Sequence, residues 1–189
     1  MGPQEKFRVF VFSKTAAYRH DSIPAGIEAL RQLGASSGAF AVEASEDASL
    51  IDTTSLSRFK VVLFLSTSGE FLTAAQLGGL RAYVNGGGGF VGVHGAAAGM
   101  RSAPWYGELV GAYFAGHAAP RRGVVAVEGG GHAIASGLPD TAFEWFDEWY
   151  DFARNPRHCG ATVLLSAAAA GPSTPPWGIS TPPSGTASS

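Results

Sequence analysis

Histidine titrates nearest neutral pH, and the chain has five: His20, His94, His117, His132 and His158. His94 is the most informative. It follows the apolar run Phe90-Val91-Gly92-Val93 and precedes Gly95-Ala96. A residue between small neighbours, where a strand turns sharply into the next element, has the layout of a nucleophile elbow that exposes its central side chain. Here that side chain is an imidazole rather than a serine or cysteine, so it offers a general base, a proton shuttle or a metal ligand. The bland alternative is a histidine that only hydrogen-bonds a neighbouring loop.

Arg19-His20-Asp21 gathers three polar groups after another apolar run. Asp21 or Ser22 can cap the helix that follows, whereas Arg19 and His20 have no such local role and are candidates for ligand contact. His117 and His132, behind Tyr113-Phe114-Ala115-Gly116 and Gly129-Gly130-Gly131, each read first as loop residues. The segment Trp145-Phe146-Asp147-Glu148-Trp149-Tyr150-Asp151 mixes aromatics with acids, which suits sugar rings and equally suits a domain edge. Asp147 and Glu148 are adjacent, so in a strand they face opposite ways, which weakens a paired-carboxylate glycosidase reading. A single cysteine, Cys159, excludes an internal disulfide and a cysteine zinc cluster, and nothing around it resembles an elbow.

The elements that must carry these residues follow from local pattern. Phe7–Phe12, Val61–Leu65 and Phe90–Val93 read as strands, and the unbroken apolar run Val61–Leu65 fits a central parallel strand covered on both faces. Phe40–Glu43 adds a shorter strand. Ser22 and Pro24 open a helix with Ile27, Leu30 and Leu33 at helical spacing, closed by Gly34. Thr73 and Gln76 form a capping-box start for a second helix through Leu77, Leu80 and Val84, ending at Asn85-Gly86. Gly86–Gly89 precedes a strand and lacks a following Gly-Lys-Ser/Thr, so it reads as a helix C-cap and turn rather than a phosphate loop. Later, a helix around Trp105–Phe114 and strands over Gly123–Glu128 and Thr162–Leu165 are expected. This rhythm predicts a three-layer α/β fold with a mostly parallel sheet, in which ligands bind where the strands end.

Composition bounds the function classes. The 189 residues carry a net charge of −2 and only 15% charged side chains, which removes the basic footprint of a nucleic-acid binder. No apolar run is long enough for a membrane span, and the N-terminus lacks a signal-peptide layout, so a soluble cytoplasmic protein is expected. From Ser166 to Ser189 there is no charge and no histidine, but 5 of the 11 prolines. That stretch is expected to be disordered, leaving one working domain over 6–165.

Val11–Ile23, Gly87–Ala97, Trp105–Phe114 and Asp147–Tyr150 resemble, in order, the ThuA-like (trehalose utilisation) family. The resemblance implies a flavodoxin-like fold of the class I glutamine amidotransferase-like superfamily. It puts His94 where amidotransferases carry their cysteine, so glutamine hydrolysis is not expected. It further implies a bacterial role in trehalose or related sugar metabolism, beside sugar-dehydrogenase-like modules in multidomain proteins, some of them secreted. By position the pocket would hold Arg19, His20, His94, His117, His132, Glu148 and Tyr150. His94, His20 and Glu148 would be catalytic, and the others, with Trp105, would bind the sugar.

The chain departs from the family in four places. Ala97-Ala98-Gly99 replaces an acidic residue usual after the elbow, and His117-Ala118 and His132-Ala133 replace His-Pro pairs. After the Thr162–Leu165 strand, the family's Met-Gly-Asp-x-His-Pro segment gives way to Trp177-Gly178-Ile179-Ser180-Thr181-Pro182. One nucleotide over, the codons of Pro176–Pro182 can spell Met-Gly-Asp-Phe-His-Pro. The expectation is that 166–189 is out of frame and the domain truncated; resequencing the locus tests it.

Three functions compete on this reading. The first is an enzyme, a hydrolase or lyase, acting on a disaccharide or an oxidised sugar derivative. The others are a carbohydrate-binding accessory domain without turnover, and an inactive fragment. The partner expected is a small-molecule sugar, with no nucleic acid and no membrane, in a chain that could form a homo-oligomer. The cofactor is unknown; a divalent metal stays open, although histidines this far apart in sequence do not argue for one.

Overall fold

The computed structural model describes residues 6–129 and 131–169. The described residues divide into two compact units, 6–116 with 151–161, and 117–150 with 162–169.

The first unit is built on four strands: β1 (Phe7–Phe12), β2 (Phe40–Ser45), β3 (Val61–Leu65) and β4 (Gly89–Val93). They form one sheet in the order β2-β1-β3-β4, and every pairing is parallel. The alternation along β1 and β3 explains why both are central. Phe10, Phe12, Val62 and Phe64 enter one core, while Val9, Val11, Leu63 and Leu65 enter another on the opposite face. The helix α1 (Ile23–Ser37) covers the second core with Ile23, Ile27 and Leu30. On the first face lie α2 (Thr53–Leu56), α3 (Ala74–Asn85) and α4 (Pro104–Leu109), with Leu56, Leu77, Leu80 and Tyr106 directed inward. Three layers result, as the pattern predicts.

Local signals act as read in some places and not in others. Thr73 and Gln76 make both halves of the capping box at the start of α3. Gly86 caps the end of α3, and β4 begins at Gly89, so the glycine run is a cap and turn. The helix α1 does not stop at Gly34 but continues to Ser37 and ends at Gly38, whose φ is +67°. Gly34 serves packing instead: a Cβ there would stand 2.6 Å from the Phe40 carbonyl oxygen. Ser22 takes the N-cap position of α1 with no side-chain hydrogen bond to the helix, so the capping role expected of it is not made. The helix α4 is shorter than expected, since Gly111 turns the chain with φ +83° and Phe114 opens the strand β5 (Phe114–His117).

The second unit is a three-stranded antiparallel sheet in the order β7-β6-β9, from β6 (Arg121–Val127), β7 (Ala142–Asp147) and β9 (Leu165–Ala169). The strand expected over Thr162–Leu165 therefore lies further along, pairing Leu165 with Val127 and Ala169 with Gly123. Backbone pairing overrides the weak strand propensity of Ser166-Ala167-Ala168-Ala169. Those four residues belong to the stretch that composition assigns to a disordered tail; the remainder of that stretch, with its frame-shift reading, lies outside the described residues. The short strand β8 (Tyr150–Phe152) lies where the chain passes from one unit to the other.

Two glycine substitutions test this packing. Gly34→Ala is expected to destabilise by about 1–3 kcal/mol despite alanine's better helix propensity, because Phe40 must move. Gly78→Ala, on an open face of α3 with nothing within 4 Å, is expected to stabilise by about 0.5–1 kcal/mol. Urea denaturation reads both, and equal effects of the same sign contradict the packing argument.

Candidate functional site

The strand order reverses between β1 and β3, so the crevice of a parallel sheet opens beyond their carboxyl ends. The two exits stay side by side. Thr15 bridges Ser68, the Ala16 N–H donates to the Ser68 carbonyl at 2.8 Å, and the Ser68 hydroxyl donates to the Tyr18 carbonyl. The buried polar residues Ser13, Ser66, Thr67 and Ser68 all lie here, small enough to let a third segment approach.

That third segment is the elbow. The Ser66 N–H donates to the Val93 carbonyl at 3.1 Å, and the chain then turns at His94, whose φ of +52° is left-handed. A non-glycine residue in that region costs about 1–3 kcal/mol and persists only when its surroundings impose it. Two neighbours do so. Gly95 passes so close to β3's extension that a Cβ would lie 3.1 Å from the Thr67 carbonyl oxygen. Beyond it, the fully buried Tyr106 of α4 donates its hydroxyl to the Ala96 carbonyl at 2.9 Å. Burial pushes that phenol well above its ordinary value, holding it as a neutral donor.

His20 meets the elbow from the β1 exit. Its ring centroid lies 4.3 Å from that of His94 at 66°, edge to face, and Tyr18 sits 4.8 Å away from His20 at 78°. Both imidazoles are half-buried. Two histidines in such contact can hold a proton on one ring while the other accepts one, which is the equipment of acid–base catalysis. Beside the elbow, Glu70 accepts hydrogen bonds from the hydroxyl of Ser102 at 2.7 Å and from its N–H at 3.1 Å. The Ser102 hydroxyl is the main reason its carboxyl is held below the usual range.

The other residues selected from the sequence have partners of their own. Arg19 pairs with Glu46, at the end of β2, at 2.6 Å. Trp105 packs half-buried against the core with the Arg81 guanidinium 5.8 Å over its ring. In the second unit, His117 Nε2 lies 3.5 Å from a buried Glu148 oxygen, and its ring stacks on Tyr150 at 5.7 Å. Burial, then the charges of Glu148 and Asp147, pushes the Tyr150 phenol up to about 12. His132 caps a short turn, its Nδ1 accepting from the Ile134 N–H at 3.2 Å, which is the loop role read for it. His158 and Cys159 share another short turn, Pro156–Cys159.

Among the described residues no three His, Cys, Asp or Glu side chains gather as a metal site, and no helix is long and apolar enough to cross a membrane. Tyr18, Glu70 and Tyr106 belong to the elbow's surroundings but were not selected from the sequence. A buried tyrosine reads as core until its acceptor is known.

Residues 8–182 match the family model described as "ThuA: Trehalose utilisation". A crystal structure of a ThuA-like protein from Bacteroides uniformis is 25% identical with a TM-score of 0.72, covering 86% of this chain and 68% of that one. A second ThuA-like protein, from Parabacteroides merdae, shares the fold with 17% identity, a TM-score of 0.68 and the same coverage. No curated protein matches the chain.

Removing the Tyr106 hydroxyl tests how the elbow is held. Tyr106→Phe leaves the Ala96 carbonyl with only the long Gly99 N–H contact at 3.5 Å and is expected to cost about 0.5–1.5 kcal/mol. The pH dependence has a definite sign. The folded-state value of this phenol lies above the unfolded one, so its contribution is complete below about pH 10 and is lost as the pH rises further. Denaturant melts from pH 8 to 11 should show a shallower alkaline loss in Tyr106→Phe than in the unaltered chain. Identical alkaline limbs would mean that Tyr106 is not the group responsible.

Proposed function

This chain belongs to the ThuA, trehalose-utilisation family, and on that premise we propose that it acts on a sugar at the mouth of the parallel sheet. The substrate class is a disaccharide or an oxidised sugar derivative. His94 is the central acid–base group and His20 its partner. One observation supports this above the others: the only left-handed histidine of the described residues sits at an elbow with a second imidazole 4.3 Å away. Neither ring forms the thioester that glutamine hydrolysis needs, so amidotransferase chemistry is left aside.

In this reading the neutral imidazole takes a proton, from the attacking water in hydrolysis or from a sugar carbon in elimination. The other ring, protonated, returns one to the departing oxygen. Both hydrolysis and elimination of a sugar need that pair of transfers. Tyr18, 71% exposed beside His20, is available to stack on the sugar ring. His117, Glu148 and Tyr150 form a second polar–aromatic group and are candidates for sugar contact within their own unit.

Turnover and binding of trehalose-type disaccharides and their keto derivatives should be followed in parallel for the unaltered chain, His94→Ala and His20→Ala. Turnover is expected to fall about 10²- to 10⁴-fold in His94→Ala while sugar binding stays within a few-fold. Binding without turnover in all three proteins would favour a carbohydrate-binding module. Unchanged turnover in His94→Ala would remove the histidine pair from the chemistry.

A further inference from the structure

A cavity of about 460 Å³ lies at the ends of β1 and β2, on the α1 side of the sheet. Its volume falls in the range of small-molecule sites. Ile23, Pro24, Ile27 and Arg31 line it from one stripe of α1, at spacings that put them on a single helix face. Opposite stand Arg19 and Glu46. The wall is thus apolar along the helix, with two guanidinium groups and one carboxylate at its edge.

The charges are not balanced. Arg19 is paired with Glu46, but Arg31 has no ion-pair or hydrogen-bond partner among the described residues. Glu28, three residues earlier on the same helix, accepts from the Gln32 amide at 3.1 Å. The Arg19–Glu46 pair is itself weakly held, since its side chains are 46% and 49% exposed and such surface pairs contribute little. An incoming anion can therefore take Arg19 from Glu46 at small cost while meeting Arg31. Guanidinium forks match the oxygen geometry of carboxylates and phosphates, and the apolar stripe suits the carbon skeleton behind such a group.

We propose that this cavity binds a small organic oxyanion, a carboxylate or phosphate ester, with Arg31 as the principal anchor and Arg19 as the second. Glu46 opposes binding and sets its strength. The site needs nothing from the histidine pair, so it stands whether or not that pair catalyses a reaction.

Calorimetric titration of the full chain with glucuronate, glucose 6-phosphate and glucose tests this directly, without a turnover assay. At low salt, at least one of the two anions is expected to bind tenfold or more tightly than glucose, and to weaken as salt is raised. Preference between the two identifies the oxyanion. Arg31→Ala should weaken the preferred anion at least tenfold, Arg31→Lys by less, and Glu46→Gln should tighten it. Arg31 is exposed, and circular dichroism checks that both variants at that position stay folded. Anions that bind no better than glucose, or undiminished affinity in folded Arg31→Ala and Arg31→Lys, would overturn the assignment.

Discussion

The register between β1 and β3 is the constraint on which the rest of the first unit depends. Phe10 pairs with Val62 and Phe12 with Phe64, which sends all four into one core, while Val9, Val11, Leu63 and Leu65 fill the other. A slip of one residue would exchange the two sets and drive phenylalanine rings against α1, where Ile23 and Ile27 fit valines and leucines. The same register continues beyond the strands as the Thr15–Ser68 bridge, so the loop carrying Tyr18 and His20 starts from a fixed point. The position of His20 is thus set largely by hydrophobic sorting several residues earlier.

The elbow meets a different requirement. His94 occupies a backbone conformation that a histidine does not prefer, and its neighbours hold it there from three sides: the Ser66–Val93 hydrogen bond before it, the close passage of Gly95 over Thr67, and the Tyr106 hydroxyl on Ala96. Only the first and last are bonds; the middle one is an absence of atoms. Such an arrangement fixes the backbone from which the imidazole projects.

Much of this was legible in the residues. β-Branched and aromatic residues marked β1, a continuous apolar run marked β3 because both faces of a central parallel strand are buried, and the capping box at Thr73 marked the start of α3 because it is a local interaction. The His94 elbow could be read because small residues on both sides of a polar one have few other reasons to follow a strand. What could not be read was non-local. Gly34 resembles a helix stop until Phe40 is seen beside it. The strand β9 carries almost no signal, since alanines pair by backbone alone. Arg19 and His20 are adjacent in sequence, yet the first reaches to Glu46 and the second to His94, a divergence decided by neighbours from β2 and β4.

The first unit is also discontinuous along the chain, for Asp151–Ala161 returns to it after the whole of His117–Tyr150, and the Ala153 N–H donates to the Tyr113 carbonyl at 2.8 Å. During synthesis the four parallel strands can leave the ribosome and pair while their last segment has not yet been made. Closure of the intervening loop then costs roughly 3 kcal/mol of chain entropy, a cost that rises only slowly with loop length. The unit that carries the histidine pair is therefore completed late in translation, and the interval before it closes is when its half-finished surface is open to chaperones or to wrong partners.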